Sequence, residues 1–191
     1  MKFGILSLLC LSSYLSVSEA LWPIPRSLEA GTTSLKLSSD LKITVNVHDA
    51  PQDLLDAVNR TRYYLYNDKL GRMVVGRGAS DSAGLKIAKT LSSLTLSLTS
   101  GSSPARPIAT EAVQPIGTRE ESYSLSVPDD GSGAFLTANS TLGLFRGLST
   151  FEQLWYEYDG VIYTITAPVK IENDAPAFVS IVSSGLGLIS Y

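Results

Sequence analysis

Apolar residues at Leu144, Leu148, Phe151, Trp155 and Tyr158 recur at spacings of four, three, four and three. That is the 3.6-residue period of one helix face, and it predicts an amphipathic helix over Thr141 to Tyr158. Gly143 and Gly147 lie four apart within it. Each glycine weakens a helix by about 1 kcal/mol relative to alanine, so close approach of another element should offset that cost. A second helix is predicted from Asp49 to about Asn67, opened by Asp49, Pro51 and Gln52 as cap, first turn and capping-box partner. It would bury Leu54, Leu55, Val58, Leu65 and part of the Tyr63, Tyr64, Tyr66 cluster.

Alternation with period two marks the strands. Leu35–Leu37 and Lys42–Val47 read as two short ones, and Ser93–Thr99 is the clearest, with hydroxyls on its polar face. Glu121–Val127 and Ala134–Ala138 form a hairpin across Pro128–Gly133. Beyond the Asp159-Gly160 turn, Val161–Ile165 is a strand, and Pro168–Glu172 reads as a short edge strand because proline cannot donate to a ladder. Gly101–Thr118, rich in Gly, Ser, Pro, Ala and Thr, reads as a surface loop. Together these elements predict an α+β fold: a mostly antiparallel sheet with two long helices packed on one face.

The start of the chain is different in kind. Lys2, the apolar run Gly4–Tyr14, and Ser18-Glu19-Ala20 have the layout of a secretory signal peptide cut after Ala20. The apolar run is too short to span a membrane, which takes roughly 20 residues. Secretion to the extracellular space or the secretory lumen is therefore expected. Cys10 is the only cysteine and would leave with that leader, so no disulfide or thiolate site is expected. With 44% hydrophobic and 17% charged residues the chain has enough apolar content to fold. Its net charge of −3 provides no basic footprint for nucleic acid. Asn59-Arg60-Thr61 and Asn139-Ser140-Thr141 are N-glycosylation sequons, with Asn139 also placed to cap the helix that follows.

No catalytic constellation emerges from the residue pattern. His48 is the sole histidine, leaving a metal site without the usual ligand set, and no cofactor is expected. Gly76-Arg77-Gly78 lacks the third glycine of a phosphate-binding loop, and Gly131-Ser132-Gly133 lacks the strand and helix that flank a nucleophile elbow. Glu120-Glu121 and Asp129-Asp130 are adjacent pairs, which on a strand diverge to opposite faces and in a turn meet water. A two-carboxylate glycosidase centre needs them facing each other across a sugar.

Four stretches carry a resemblance. They are Leu21-Trp22-Pro23-Ile24-Pro25; Glu120-Glu121-Ser122-Tyr123-Ser124-Leu125; Leu142–Leu154, with Gly143, Arg146, Gly147, Phe151 and Gln153; and Pro168–Phe178. They resemble the N-terminal domain of eukaryotic and fungal-type β-N-acetylhexosaminidases, glycoside hydrolase family 20, except that many members carry Glu where Ser149 stands. The resemblance covers about Leu21 to Phe178. It implies an accessory domain that precedes a (β/α)8 barrel, where an Asp–Glu pair uses the substrate's own acetamide as nucleophile. It also implies the barrel as partner, and a homodimer as one assembly.

The expected organisation is a signal peptide over 1–20, the accessory domain over 21–178, and a tail over 179–191 that departs from the family pattern. That departure is expected from truncation, a frameshift or a retained intron. The apolar tail lacks the clear polar spacer of a lipid-anchor signal. The expected function is a secreted accessory domain, inactive alone. The alternative is a freestanding secreted binding or structural module.

Overall fold

A computed structural model describes residues 21, 25–67 and 78–174. The leader, Trp22, Gly76-Arg77 and the tail lie outside these residues. The longest element is β1, Leu28–Asn46, where two short strands were expected. The alternation breaks at Ser38–Leu41 because the strand bulges there: β1 advances from Leu37 to Lys42 while its partner β2, Lys89–Leu98, advances only from Leu91 to Ser93. Tyr66 clamps the bulge. Its hydroxyl donates to the Ser38 carbonyl and accepts from the Leu41 N–H at 3.2 Å.

Burial pushes the Tyr66 phenol above its ordinary value of 10, although the Leu41 N–H opposes the shift. The folded state thus holds the proton more tightly than the unfolded chain, and this contribution is intact below pH 10 and lost as pH rises through the folded value. Tyr66→Phe should cost about 1 kcal/mol at neutral pH and flatten part of the alkaline loss. Thermal unfolding of both proteins between about pH 9 and 11 measures it. Parallel alkaline declines would remove Tyr66 from the account.

The remaining elements are α1 (Gln52–Asn67), α2 (Ser82–Ile87), α3 (Ile108–Ala112), β3 (Tyr123–Val127), β4 (Ala134–Ala138), α4 (Thr141–Gln153), β5 (Tyr156–Tyr158) and β6 (Val161–Asp174). Six strands form one mixed sheet in the order β1-β2-β4-β3-β6-β5. Four pairings are antiparallel, while β1–β2 and β2–β4 are parallel. Parallel neighbours need a crossover, and α1 with α2 supplies it between β1 and β2. The first half of β1 also pairs with β6, from Leu28↔Ile171 to Lys36↔Tyr163. Strand pairing therefore runs in a closed circuit through β1, β2, β4, β3 and β6.

That circuit corrects one expectation. Pro168 is not on an edge, because β6 lies between β1 and β3. It is tolerated because the β1 register shifts between Ala30 and Thr33, opposite the proline, so no regular ladder bond is lost. Gly31 makes the fit possible: a Cβ there would sit 2.3 Å from the Ala167 carbonyl oxygen and 2.5 Å from Pro168 Cδ.

The core lies between one sheet face and the helices. Leu94, Leu96, Leu125, Val127, Leu136, Val169 and Ile171 from the sheet meet Leu54, Val58 and Leu65 of α1 and Leu144, Leu148 and Phe151 of α4. Leu55 is only half-buried. Of the tyrosine cluster, Tyr66 packs inward, whereas Tyr63 and Tyr64 are 61% and 41% exposed. Ser124, Ser126 and Thr137 lie on the opposite, wetter sheet face beside the exposed Phe135.

Two boundaries differ from expectation. The helix of the 144–158 pattern stops at Gln153, and Tyr156–Tyr158 pairs with Val161–Tyr163. Asp159 and Gly160 both have positive φ, 51° and 76°, the requirement of a type I′ hairpin turn, so the hairpin takes the residues that the helix would have used. Within Gly101–Thr118, expected to be loop throughout, α3 packs on α4 and α1.

Candidate functional site

Helix α4 and the strands beneath it bring together the residues the sequence singles out. Ser140, not Asn139, is the N-cap: its Oγ accepts from the Gly143 N–H at 2.9 Å, while Asn139 stays exposed. A second acceptor comes from α3. Glu111 Oε2 accepts from the Thr141 hydroxyl at 2.9 Å and from the Leu142 N–H at 2.7 Å. A carboxylate at a helix N-terminus also meets the positive end of the dipole.

The glycines face the sheet. A Cβ on Gly143 would lie 2.5 Å from the Ser122 carbonyl oxygen and 2.9 Å from Ala138 Cβ; one on Gly147 would lie 2.2 Å from Leu136 Cδ1 and 3.0 Å from Tyr123 Cδ2. This contact is what offsets their helix penalty. Below the glycines, the Tyr123 hydroxyl and Thr150 Oγ1 share a buried hydrogen bond of 2.7 Å. Arg146 Nε donates to Glu121 Oε2 at 2.9 Å, with Arg119 at 3.9 Å from the same carboxylate. Glu121 is only 12% exposed, so this ion pair keeps the carboxylate from being stranded. At the far end Phe151 meets Trp155 edge to face at 5.4 Å, and Gln153 donates to the Ser149 carbonyl. Ser149 itself bonds back to the Phe145 carbonyl at 3.1 Å, a bond that a helix accommodates.

The other candidates are scattered. Glu120 accepts from Ser122, and Asp129 from the Thr33 hydroxyl at 3.4 Å. Asp130 accepts from both the hydroxyl and the N–H of Ser132, which hold its carboxyl below the ordinary value. His48 pairs with Asp49 at 2.9 Å on the surface, and Asp49, with φ of 52°, turns the chain; Gln52 reaches forward to Asp56. Among the described residues no group of three His, Cys, Asp or Glu could hold a metal ion, and no helix is long and apolar enough to cross a membrane. Asn59 is exposed on α1.

A polar cavity of about 520 Å³ lies beside the N-terminus of α4. Ser102, Arg106, Gln114, Thr118 and Asn139 are among its lining residues. Neither this groove nor the Glu111 cap was legible in the sequence, since both depend on α3 folding back over α4.

A family model and one solved structure agree with this architecture. A family model described as beta-acetyl hexosaminidase like matches residues 21–154. No curated protein matches the chain. The crystal structure of a Flavobacterium johnsoniae chitobiase is similar in fold, with a TM-score of 0.51 and 17% identity over 78% of this chain and 20% of that one. An exo β-N-acetylglucosaminidase from Vibrio harveyi, solved with N-acetylglucosamine, aligns at 15% identity over 79% of this chain and 18% of its own, with a TM-score of 0.43. The chain thus spans about a fifth of the length of these enzymes. With the family model covering well over half of it, this chain belongs to the beta-acetyl hexosaminidase-like family, as an N-terminal domain of glycoside hydrolase family 20.

Proposed function

We propose that the chain acts as the secreted accessory domain of a β-N-acetylhexosaminidase. In that role it packs against a (β/α)8 barrel that removes terminal non-reducing N-acetylhexosamine from chitooligosaccharides or glycoconjugates, and it has no turnover of its own. One observation carries the reading: the family-motif side chains on α4 hold the helix to the sheet. Arg146 pairs with Glu121, Thr150 with Tyr123, and both glycines lie against β3 and β4 or the residue before β3. The adjacent carboxylates are likewise tied to local serines, a threonine or Arg146. Secretion is supported by the leader pattern of residues 1–20.

The test is an assay of the purified 191-residue chain on a chromogenic N-acetylglucosaminide. Enzymes accelerate such reactions by about 10⁶-fold or more, so even an impaired catalyst would stand clear of the blank. The expected rate equals the blank. Robust turnover would place catalysis within this chain and overturn the proposal.

A further inference from the structure

The polar groove beside α4 has a feature that its lining alone does not explain. Asn139, the acceptor of the second sequon, is itself part of the wall and is exposed. We propose that the groove is the cradle of an N-linked glycan carried by Asn139, with the first N-acetylglucosamine residue seated in it. This rests on the secretion part of the reading above.

Two observations support it. At about 520 Å³ the groove falls within the size of small-ligand sites, large enough for a saccharide. Its wall offers groups an acetamide and sugar hydroxyls can use: the Ser102 hydroxyl, the exposed Arg106 guanidinium, and the oxygens of Gln114 and Thr118, whose Nε2 and hydroxyl hydrogen already go to the Thr110 and Pro115 carbonyls. Tethering matters as much as contacts. A sugar bonded to a wall residue is present at an effective concentration of the order of mM, so weak contacts suffice to seat it. Asn59, on the exposed face of α1, lines none of the cavities described.

The modification needs a polyprenyl-diphosphate-linked oligosaccharide and the transferase of a secretory pathway. The Asn139 amide nitrogen bonds to C1 of the first sugar and loses a proton. The C1–oxygen bond breaks, and its electron pair leaves with the polyprenyl diphosphate.

The experiment expresses the full chain in a eukaryotic host that makes high-mannose glycans, once as it stands and once behind a heterologous leader. Failure of export in the first form alone would count against the secretion reading, while the second form still tests the groove. Glycopeptide mapping should find Asn139 occupied. Endoglycosidase H leaves one N-acetylglucosamine and should leave Tm unchanged, whereas peptide-N-glycosidase F removes it and should lower Tm by about 3 °C. An N139D variant from the same host, with the aspartate that peptide-N-glycosidase F leaves at this position, should match the product of that enzyme, and N59Q should match wild type. An unoccupied Asn139 in exported protein, or equal Tm after the two enzymes, would overturn the proposal. So would saturable binding of free N,N′-diacetylchitobiose to the occupied protein at this groove.

Discussion

Valine at Gly143 should destabilise the domain by about 3 kcal/mol, read as a fall in Tm of about 6–12 °C. The space it would need is already filled by the Ser122 carbonyl oxygen at 2.5 Å and Ala138 Cβ at 2.9 Å. The first is backbone and cannot turn aside, so α4 would have to lift from β3 and β4. Any helix-propensity gain over glycine is less than about 1 kcal/mol and does not compensate. Gly147→Ala provides the contrast. Its nearest obstacle, Leu136 Cδ1 at 2.2 Å, is the end of a side chain that can rotate, so its loss should be smaller. Urea unfolding of the three proteins measures the order. A Gly143→Val domain as stable as wild type would mean that the helix does not sit on the sheet through this seam.

The second large effect is at Trp155. Its side chain is 2% exposed and packs edge to face on Phe151, and Trp155→Ala should cost about 3–5 kcal/mol through the cavity it leaves. Trp155→Phe should cost only about 1 kcal/mol. The reason is that the indole Nε1 is buried without a hydrogen-bond partner among the described residues, so phenylalanine removes an unpaired donor along with some apolar area. Thermal unfolding separates the variants. Equal losses for both would show that the indole N–H is bonded in the protein, and that its role is polar as well as steric.

These two residues show how far local pattern reaches. The 3.6-residue period placed Leu144, Leu148, Phe151 and Trp155 on the inward face, and all four are buried. Helix α1 ends at Asn67 as its periodicity indicates, but it begins at Gln52: Asp49 turns the chain with positive φ instead of capping it, and Gln52 reaches forward to Asp56 instead of back; the β3–β4 hairpin and Asp159-Gly160 turn follow their turn chemistry. The end of α4 was misread because a helical period and a hairpin compete for the same Tyr156–Tyr158, and pairing with β6 settles it. Pro168 was misread for a similar reason: its lack of an N–H argues for an edge only where the neighbouring register is regular.

The α+β class, the buried face of each long helix and the α4 motif that marks the family are all legible in the chain's residue pattern. Those properties depend on side-chain period and turn residues, which act over a few positions. The parallel β1–β2 and β2–β4 joints, the closed pairing circuit and the partners of α4 emerge only when the layers are assembled. Arg146 meets Glu121 across 25 residues, and Glu111 reaches the α4 N-terminus across 31. Contacts at such separations leave no periodic trace in the chain, because each is made by one side chain whose partner is set by how the layers stack.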